Sequence, residues 1–300
     1  MTASIDTNRT LKIMRDAEKG QYCIYAQVCY DAQSVIATIR AAESARSPIM
    51  IMIFPVTMVQ FGKPFLRFCL ESAHAASVPI SVHLDHAGTD EDIDRALTWA
   101  EEGVALDSIM IDCSHHETDE DNIKMAMPHC QRAAKIGMAV EVELGRLAGG
   151  EAGVRNIDEG ALTKVEKAEK FLSQLGAQML APSIGNVHGR QPYLQPPESA
   201  QPFRLDLLEQ LQSTVGPSTK TGSYLVIHGT DDVPDSLFTA LVKAGARKMN
   251  MNSWAREPQV NYWQKHMEEQ GLPDLYEGGM KEFEKSILRF LELFGSAGKA

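Results

Sequence analysis

Residues 80–102 read ISVHLDHAGTDEDIDRALTWAEE, and the two halves of this stretch obey different periods. In the first half, His83 and Asp85 alternate with Val82 and Leu84, the period of two that marks a strand. In the second, Ile93, Ala96, Leu97 and Ala100 share one face of a helix expected over 89–102. Thr89 is placed to cap it, and Asp90, Glu91 and Asp92 put negative charge in its first turn, where the dipole favours it. A strand that hands over directly to an amphipathic helix is one β/α unit.

The unit recurs on both sides. Strands are expected at 22–29, 49–54, 80–84, 108–113, 139–143, 178–182, 224–228 and 248–251, mostly separated by helical stretches of about 10 to 18 residues. Pro234 and Gly245 bracket one such helix over 235–244. Strict alternation implies parallel strands with right-handed crossovers. Eight units within about 250 residues is the arithmetic of a closed (β/α)8 TIM barrel. An open doubly wound sheet would carry a glycine-rich loop after its first strand, and Val28-Cys29-Tyr30-Asp31-Ala32 has none. One α/β domain over 1–300 is therefore expected, with 1–20 as an N-terminal extension. A closing helix over 276–293, carrying Phe283, Ile287, Phe290 and Leu291, and a short tail complete it. No internal repeat, low-complexity block or linker divides the chain. Two long connections, 145–159 and 185–202, leave strand C-terminal ends and read as lids.

Composition excludes several function classes. Of 300 residues 44% are apolar and 23% charged, a globular balance. A net charge of −11 argues against nucleic-acid binding. The apolar run from Ile49 to Val56 stops well short of the roughly 20 residues that a membrane span needs. The polar start has no apolar leader segment, and Cys23, Cys29, Cys69, Cys113 and Cys130 lack CxxC spacing. Reduced thiols and a cytoplasmic location are expected.

Polar residues unusual for a buried sheet cluster at the expected strand ends. They are His83-Leu84-Asp85-His86, Asp112-Cys113-Ser114-His115, Glu141-Val142-Glu143-Leu144-Gly145, Gly185-Asn186-Val187-His188-Gly189, His228-Gly229 and Asn250-Met251-Asn252-Ser253. In a barrel these ends converge on one mouth. Three imidazoles from different strands beside a carboxylate match an open catalytic zinc site. His83 and Asp85 share a pleat face, and burying both demands pairing, which favours a functional role. Other features have plainer readings. A single histidine before glycine, as at His188 or His228, also suits a turn or cap, and Asp112 suits a cap. The acidic run 117–121 suits a solvated helix start, and Met125, Met127 and Met138 suit core filling.

In this order and spacing the motifs resemble those of the class II, metal-dependent fructose-bisphosphate and tagatose-bisphosphate aldolases. The likeness runs from about Tyr25 to Glu292. It is carried by Ser81-Val82-His83-Leu84-Asp85-His86-Ala87 and Ser108-Ile109-Met110-Ile111-Asp112-Cys113-Ser114. Glu141–Gly145 followed by Gly149-Gly150-Glu151, the segments through His188 and His228, and Lys248-Met249-Asn250-Met251-Asn252 complete it. The resemblance implies that His86, His188 and His228 hold a zinc ion, with Glu143 as an additional or alternative ligand. It places Asp112 at a second, divalent or monovalent, cation position and makes Asp85 the acid/base for the hydroxyl where the carbon–carbon bond breaks. Asn250 would bond the ketone fragment, with Gly189, Gly229, Asn252 and Ser253 lining the substrate. The implied chemistry is coherent: retro-aldol cleavage develops charge on an enediolate oxygen, which a Lewis acid stabilises while a carboxylate moves the proton. The resemblance also implies a homodimer or homotetramer and a small carbohydrate-like substrate. Trp254, Tyr262 and Trp263 are candidates for an interface or for helix core.

The substrate pocket departs from that pattern. Such aldolases usually read His-Gly-Gly/Ala-Ser-Gly where this chain reads His228-Gly229-Thr230-Asp231-Asp232. Asp231 against a phosphate is repulsive: unit charges about 4 Å apart at an effective dielectric of about 20 repel by about 4 kcal/mol. Pro192 stands where a phosphate-binding lysine is common, leaving Arg190 to substitute or to pair with Asp231. Val28 aligns with an asparagine, Trp254 with a small or acidic residue, and the loop around Glu151 is shortened. A zinc-dependent aldolase with a divergent substrate is therefore expected. The alternatives are an ordinary fructose- or tagatose-bisphosphate aldolase and a metal-binding pseudoenzyme acting as a scaffold. A zinc hydrolase is disfavoured because the first strand offers no histidine pair.

Overall fold

Every barrel strand is buried along its full length, as a sheet covered by helices outside and filled by side chains inside requires. The computed structural model describes residues 4–114, 116, 118–149, 160–189 and 203–300. Numbered in chain order, the barrel strands are β1 (Ile24–Val28), β2 (Ile49–Ile53), β3 (Ile80–Ala87), β4 (Ser108–Ile111), β5 (Ala139–Leu144), β7 (Met179–Pro182), β9 (Tyr224–Ile227) and β10 (Ala246–Met251). All neighbours pair in parallel, and β10 returns to β1, so the sheet closes as the alternation of β and α segments predicts. Two short strands, β6 (Ala148–Gly149) and β8 (Val187–His188), pair separately at the mouth.

Helices alternate with these strands. After α1 (Arg9–Gly20) come α2 (Ala32–Ser44), α3 (Pro55–Ala75), α4 (Asp90–Glu101), α5 (Asp119–Lys135) and α6 (Val165–Leu175). Then follow α7 (Leu205–Val215), α8 (Asp235–Lys243), α9 (Ser253–His266) and α10 (Leu272–Leu293). Thr89 caps α4 by accepting from the Asp92 amide at 3.1 Å. Thr118 does the same for α5 through Asp121, so Asp119, Glu120 and Asp121 of the acidic run form a helix start, while Glu117 lies outside the described residues. The closing helix begins at Leu272 rather than 276 because Pro273 serves its first turn.

Strand alternation sorts the core into two shells. Tyr25, Ile51, Val82, Ile109 and Val142 face the helices, whereas Ala26, Met50, Met52, Met110 and Met179 fill the barrel. The described part of the N-terminal extension is more than an appendage. Leu11, Ile13, Met14 and Ala17 of α1 join the inner cluster and stopper the N-terminal end of the barrel. Asn8 fixes the stopper, donating to the Asp107 carbonyl at 2.7 Å and the Gly137 carbonyl at 3.0 Å. All five cysteines are buried free thiols. Trp254 packs on Phe238 and Phe290 and Trp263 on Tyr276, and both indoles are half-buried. No helix among the described residues is long and apolar enough to cross a membrane. Of the two long connections, 150–159 and 190–202 lie outside the described residues.

Candidate metal centre at the barrel mouth

The site begins with an irregularity in β3. Its pairing with β4 steps from Leu84 opposite Ile109 to Ala87 opposite Ile111, and His86 adopts φ 51°. In a regular strand Asp85 and His86 would point to opposite sides. The bulge with a left-handed residue lets both serve the interior, and both are buried. A non-glycine residue in that region costs about 1–3 kcal/mol and persists only where its surroundings hold it.

Four ligand-type side chains converge here. One donor atom each from His86, Glu143, His188 and His228 lies within 4.8 Å of all the others, and all four residues are buried. They come from the ends of β3, β5 and β8 and the residue after β9. Two glycines make the approach possible. Gly149 lies opposite His188 in the β6–β8 pair, and a Cβ there would sit 2.2 Å from the His188 carbonyl oxygen. Gly229, at φ 64°, would place a Cβ 2.1 Å from the Val187 carbonyl oxygen. Neither position admits a side chain.

The donor set fits a cation. Asp112 Oδ2 lies 2.9 Å from His86 Nδ1, and Glu141 Oε1 lies 2.8 Å from His228 Nε2. These carboxylates assign a proton to each of those nitrogens. The opposite nitrogens, His86 Nε2 and His228 Nδ1, then present lone pairs to each other across 3.0 Å. Only a proton or a cation between them relieves that repulsion. Glu143 Oε2 is buried with no hydrogen-bond partner among the described residues. The charges agree: burial and the Asp112 carboxylate push Glu143 up to about 8. Burial would lower His86, but Asp85, Asp112 and Glu143 carry it up to about 10. Both groups hold on to protons, as expected of a carboxylate-rich pocket that favours positive charge.

Asp85 sits beside this cluster. Asn250 Nδ2 donates to its two oxygens at 3.1 and 3.0 Å. Although burial opposes ionisation, His86, His83, His228 and Lys248 hold Asp85 well below the usual carboxylate range. It is thus an ionised, oriented proton acceptor. Asp112 is not among the four clustered ligands. It orients His86 and accepts from Ser114 Oγ at 2.7 Å. Asn250 likewise binds Asp85 through its amide nitrogen, while its Oδ1 is buried without a partner among the described residues.

Gly189, Asp231 and Ser253 line a cavity of about 520 Å³ together with Asp232, Trp254 and Glu257. Asp231 Oδ1 accepts from the Trp254 amide at 3.2 Å, at the start of α9. Asn252 bonds Tyr30 and accepts from Arg256, tying β10 to β1. Arg190, Glu151 and Pro192 lie outside the described residues.

Two buried charges received no role from their sequence positions. Glu141 and Lys248 are fully buried inside the barrel, with Lys248 Nζ 2.7 Å from Glu141 Oε2. His83, Asp85 and Glu141 form a second compact ligand-type group, but Lys248 already supplies its cation. The signal was available: Glu141 and Glu143 share a pleat face, and a lysine within a buried strand requires a countercharge.

A closed (β/α)8 barrel with three histidines and a carboxylate gathered at its C-terminal mouth defines an enzyme scaffold built around a metal-type centre. The family model for class-II fructose-bisphosphate aldolase matches residues 8–299, and the chain belongs to that family of carbon–carbon lyases. The family is typically metal-dependent and acts on small sugar phosphates. A Coccidioides immitis (strain RS) protein named after fructose-bisphosphate aldolase is 32% identical over 302 residues, covering 99% of this chain and 96% of that one. A fructose-bisphosphate aldolase of Streptococcus pneumoniae is 31% identical over 307 residues, covering 96% and 98%. A crystal structure from Coccidioides immitis, also named after fructose-1,6-bisphosphate aldolase, superposes with a TM-score of 0.90 at 31% identity, covering 98% of each chain.

Proposed function

We propose that this protein is a zinc-dependent aldolase that reversibly cleaves a ketose or ketose phosphate whose distal end differs from that of a ketose bisphosphate. One observation carries the reading: donor atoms of His86, Glu143, His188 and His228 gather within 4.8 Å beside the buried Asp85. Three imidazoles and one carboxylate suit zinc. Zinc held by them supplies Lewis-acid polarisation of a carbonyl oxygen. Asp85 takes the proton from the substrate hydroxyl during cleavage and returns it during synthesis. Asn250 keeps Asp85 aimed and offers its Oδ1 to a substrate hydroxyl. Asp112 orients His86.

Gly189, Gly229, Asn252, Ser253 and Arg190 are assigned to the substrate pocket. A helix N-terminus is a natural seat for a phosphate, yet at α9 the Asp231 carboxylate takes that seat. A substrate ending there in a neutral or cationic group is favoured over a phosphate. A cytoplasmic homodimer or homotetramer acting on a small carbohydrate completes the reading.

The test uses the zinc-loaded protein with fructose 1,6-bisphosphate, a ketose monophosphate and an unphosphorylated ketose. Turnover that prefers a substrate lacking the second phosphate is expected. Efficient cleavage of the bisphosphate alone overturns the divergent pocket. Bound zinc without proton exchange on dihydroxyacetone or its phosphate overturns the lyase reading.

A further inference from the structure

We infer that Glu141, clamped by Lys248 across the barrel interior, is the positioning residue that presents His228 Nδ1 to the metal. The inference rests on the reading of His228 as a ligand and extends it to residues that touch neither ion nor substrate.

β5 and β10 are not neighbours in the sheet; β7 and β9 lie between them on one side. The contact between Lys248 Nζ and Glu141 Oε2 at 2.7 Å therefore spans the barrel lumen, and both side chains are fully buried. The other oxygen, Oε1, reaches His228 Nε2 at 2.8 Å. His83 closes the ring, with Nε2 3.7 Å from both Glu141 Oε2 and Asp85 Oδ1. His83 is itself held from behind. Its Nδ1 lies 2.8 Å from Ser108 Oγ, which accepts from Thr10 Oγ1 of the N-terminal stopper at 3.0 Å.

Stability does not account for this arrangement. The same lumen is filled elsewhere by Met50, Met52, Met110 and Met179, and a buried ion pair rarely outperforms well-packed apolar side chains. Its geometry does fit ligand presentation. A carboxylate on Nε2 fixes the ring's tautomer and rotation and leaves Nδ1 as the donor, 3.0 Å from His86 Nε2. Lys248 gives that carboxylate the countercharge it needs in a dry interior. Asp112 performs the matching task for His86, so each of these two imidazoles is backed by its own carboxylate.

The experiment measures zinc affinity by chelator competition and thermal unfolding for wild type, E141Q, and the apolar pair E141L with K248M. We expect zinc binding 10–100-fold weaker in both variants, the usual loss when a partner behind a metal-bound histidine is removed. We also expect the apolar pair to unfold no earlier than wild type in chelator. Unchanged zinc affinity in either variant overturns the inference. Nitrogen NMR of the metal-free wild type reads the tautomer directly and needs no variant to fold. His228 protonated on Nε2 is expected, and protonation on Nδ1 overturns it. H228A separates the two readings: if it binds zinc as tightly as wild type, the assignment of the ligand fails, whatever Glu141 does.

Discussion

Asp85 and its neighbours show how far a single carboxylate depends on what surrounds it. Replacing it with asparagine keeps the shape and removes the proton acceptor. Turnover by D85N is expected to fall by about 10²–10⁴ with its zinc content unchanged, measured by steady-state kinetics and metal analysis. The alternation of His83 and Asp85 with apolar residues makes their shared inward face legible in the sequence. His86 was harder, because strand periodicity turns it outward, and only the bulge at φ 51° brings it in. Lys248 and Glu141 lay in plain view in the chain, yet their pairing joins positions 107 residues apart and depends on barrel closure.

At the scale of elements, β3 and the β9–α8 connection carry the site's precision. G229A would set a Cβ 2.1 Å from the Val187 carbonyl oxygen at a positive φ. It is expected to destabilise by at least about 1–3 kcal/mol and to weaken zinc binding by displacing His228, read by denaturant unfolding and chelator competition. The α1 stopper makes a prediction of its own. Met14 is fully buried against the barrel interior, so M14A is expected to cost about 2–5 kcal/mol in unfolding free energy while leaving the distant mouth intact. The amphipathic face of α1 is present in the sequence. Its role is not, because what it packs against is a cavity end that exists only after the strands have closed.

For the whole molecule, cation occupancy and pH are linked. In the metal-free protein Glu143 titrates near 8 against an ordinary 4.5, and His86 near 10 against 6.5. Both bind protons more tightly folded than unfolded, so the stability they contribute is present at low pH and is lost as pH rises through those values. Metal-free protein is therefore expected to lose thermal stability progressively between about pH 4.5 and 10, most steeply from about 6.5 to 8, where the unfolded chain has released both protons and the folded protein still holds them. A zinc ion held by these ligands would displace those protons and is expected to flatten that loss. At 100 times its dissociation constant it adds about 2.7 kcal/mol, visible as a rise of several degrees in the unfolding midpoint. A zinc-loaded protein whose midpoint falls with pH as steeply as the metal-free one would contradict this. The acidic surface, at a net charge of −11, is expected to show no retention on a nucleic-acid matrix at moderate salt.

Periodicity is a local property, and the chain alone therefore determined the eight β/α units, their parallel pairing and the polar ends that mark one mouth. Convergence is not local. Which imidazole nitrogen faces which, that Asp112 backs His86 while Glu141 backs His228, and that Asp231 takes the start of α9 were decided only by folding. Each depends on a few ångströms set by barrel closure, a bulge and two glycines, distances that no spacing along the chain encodes.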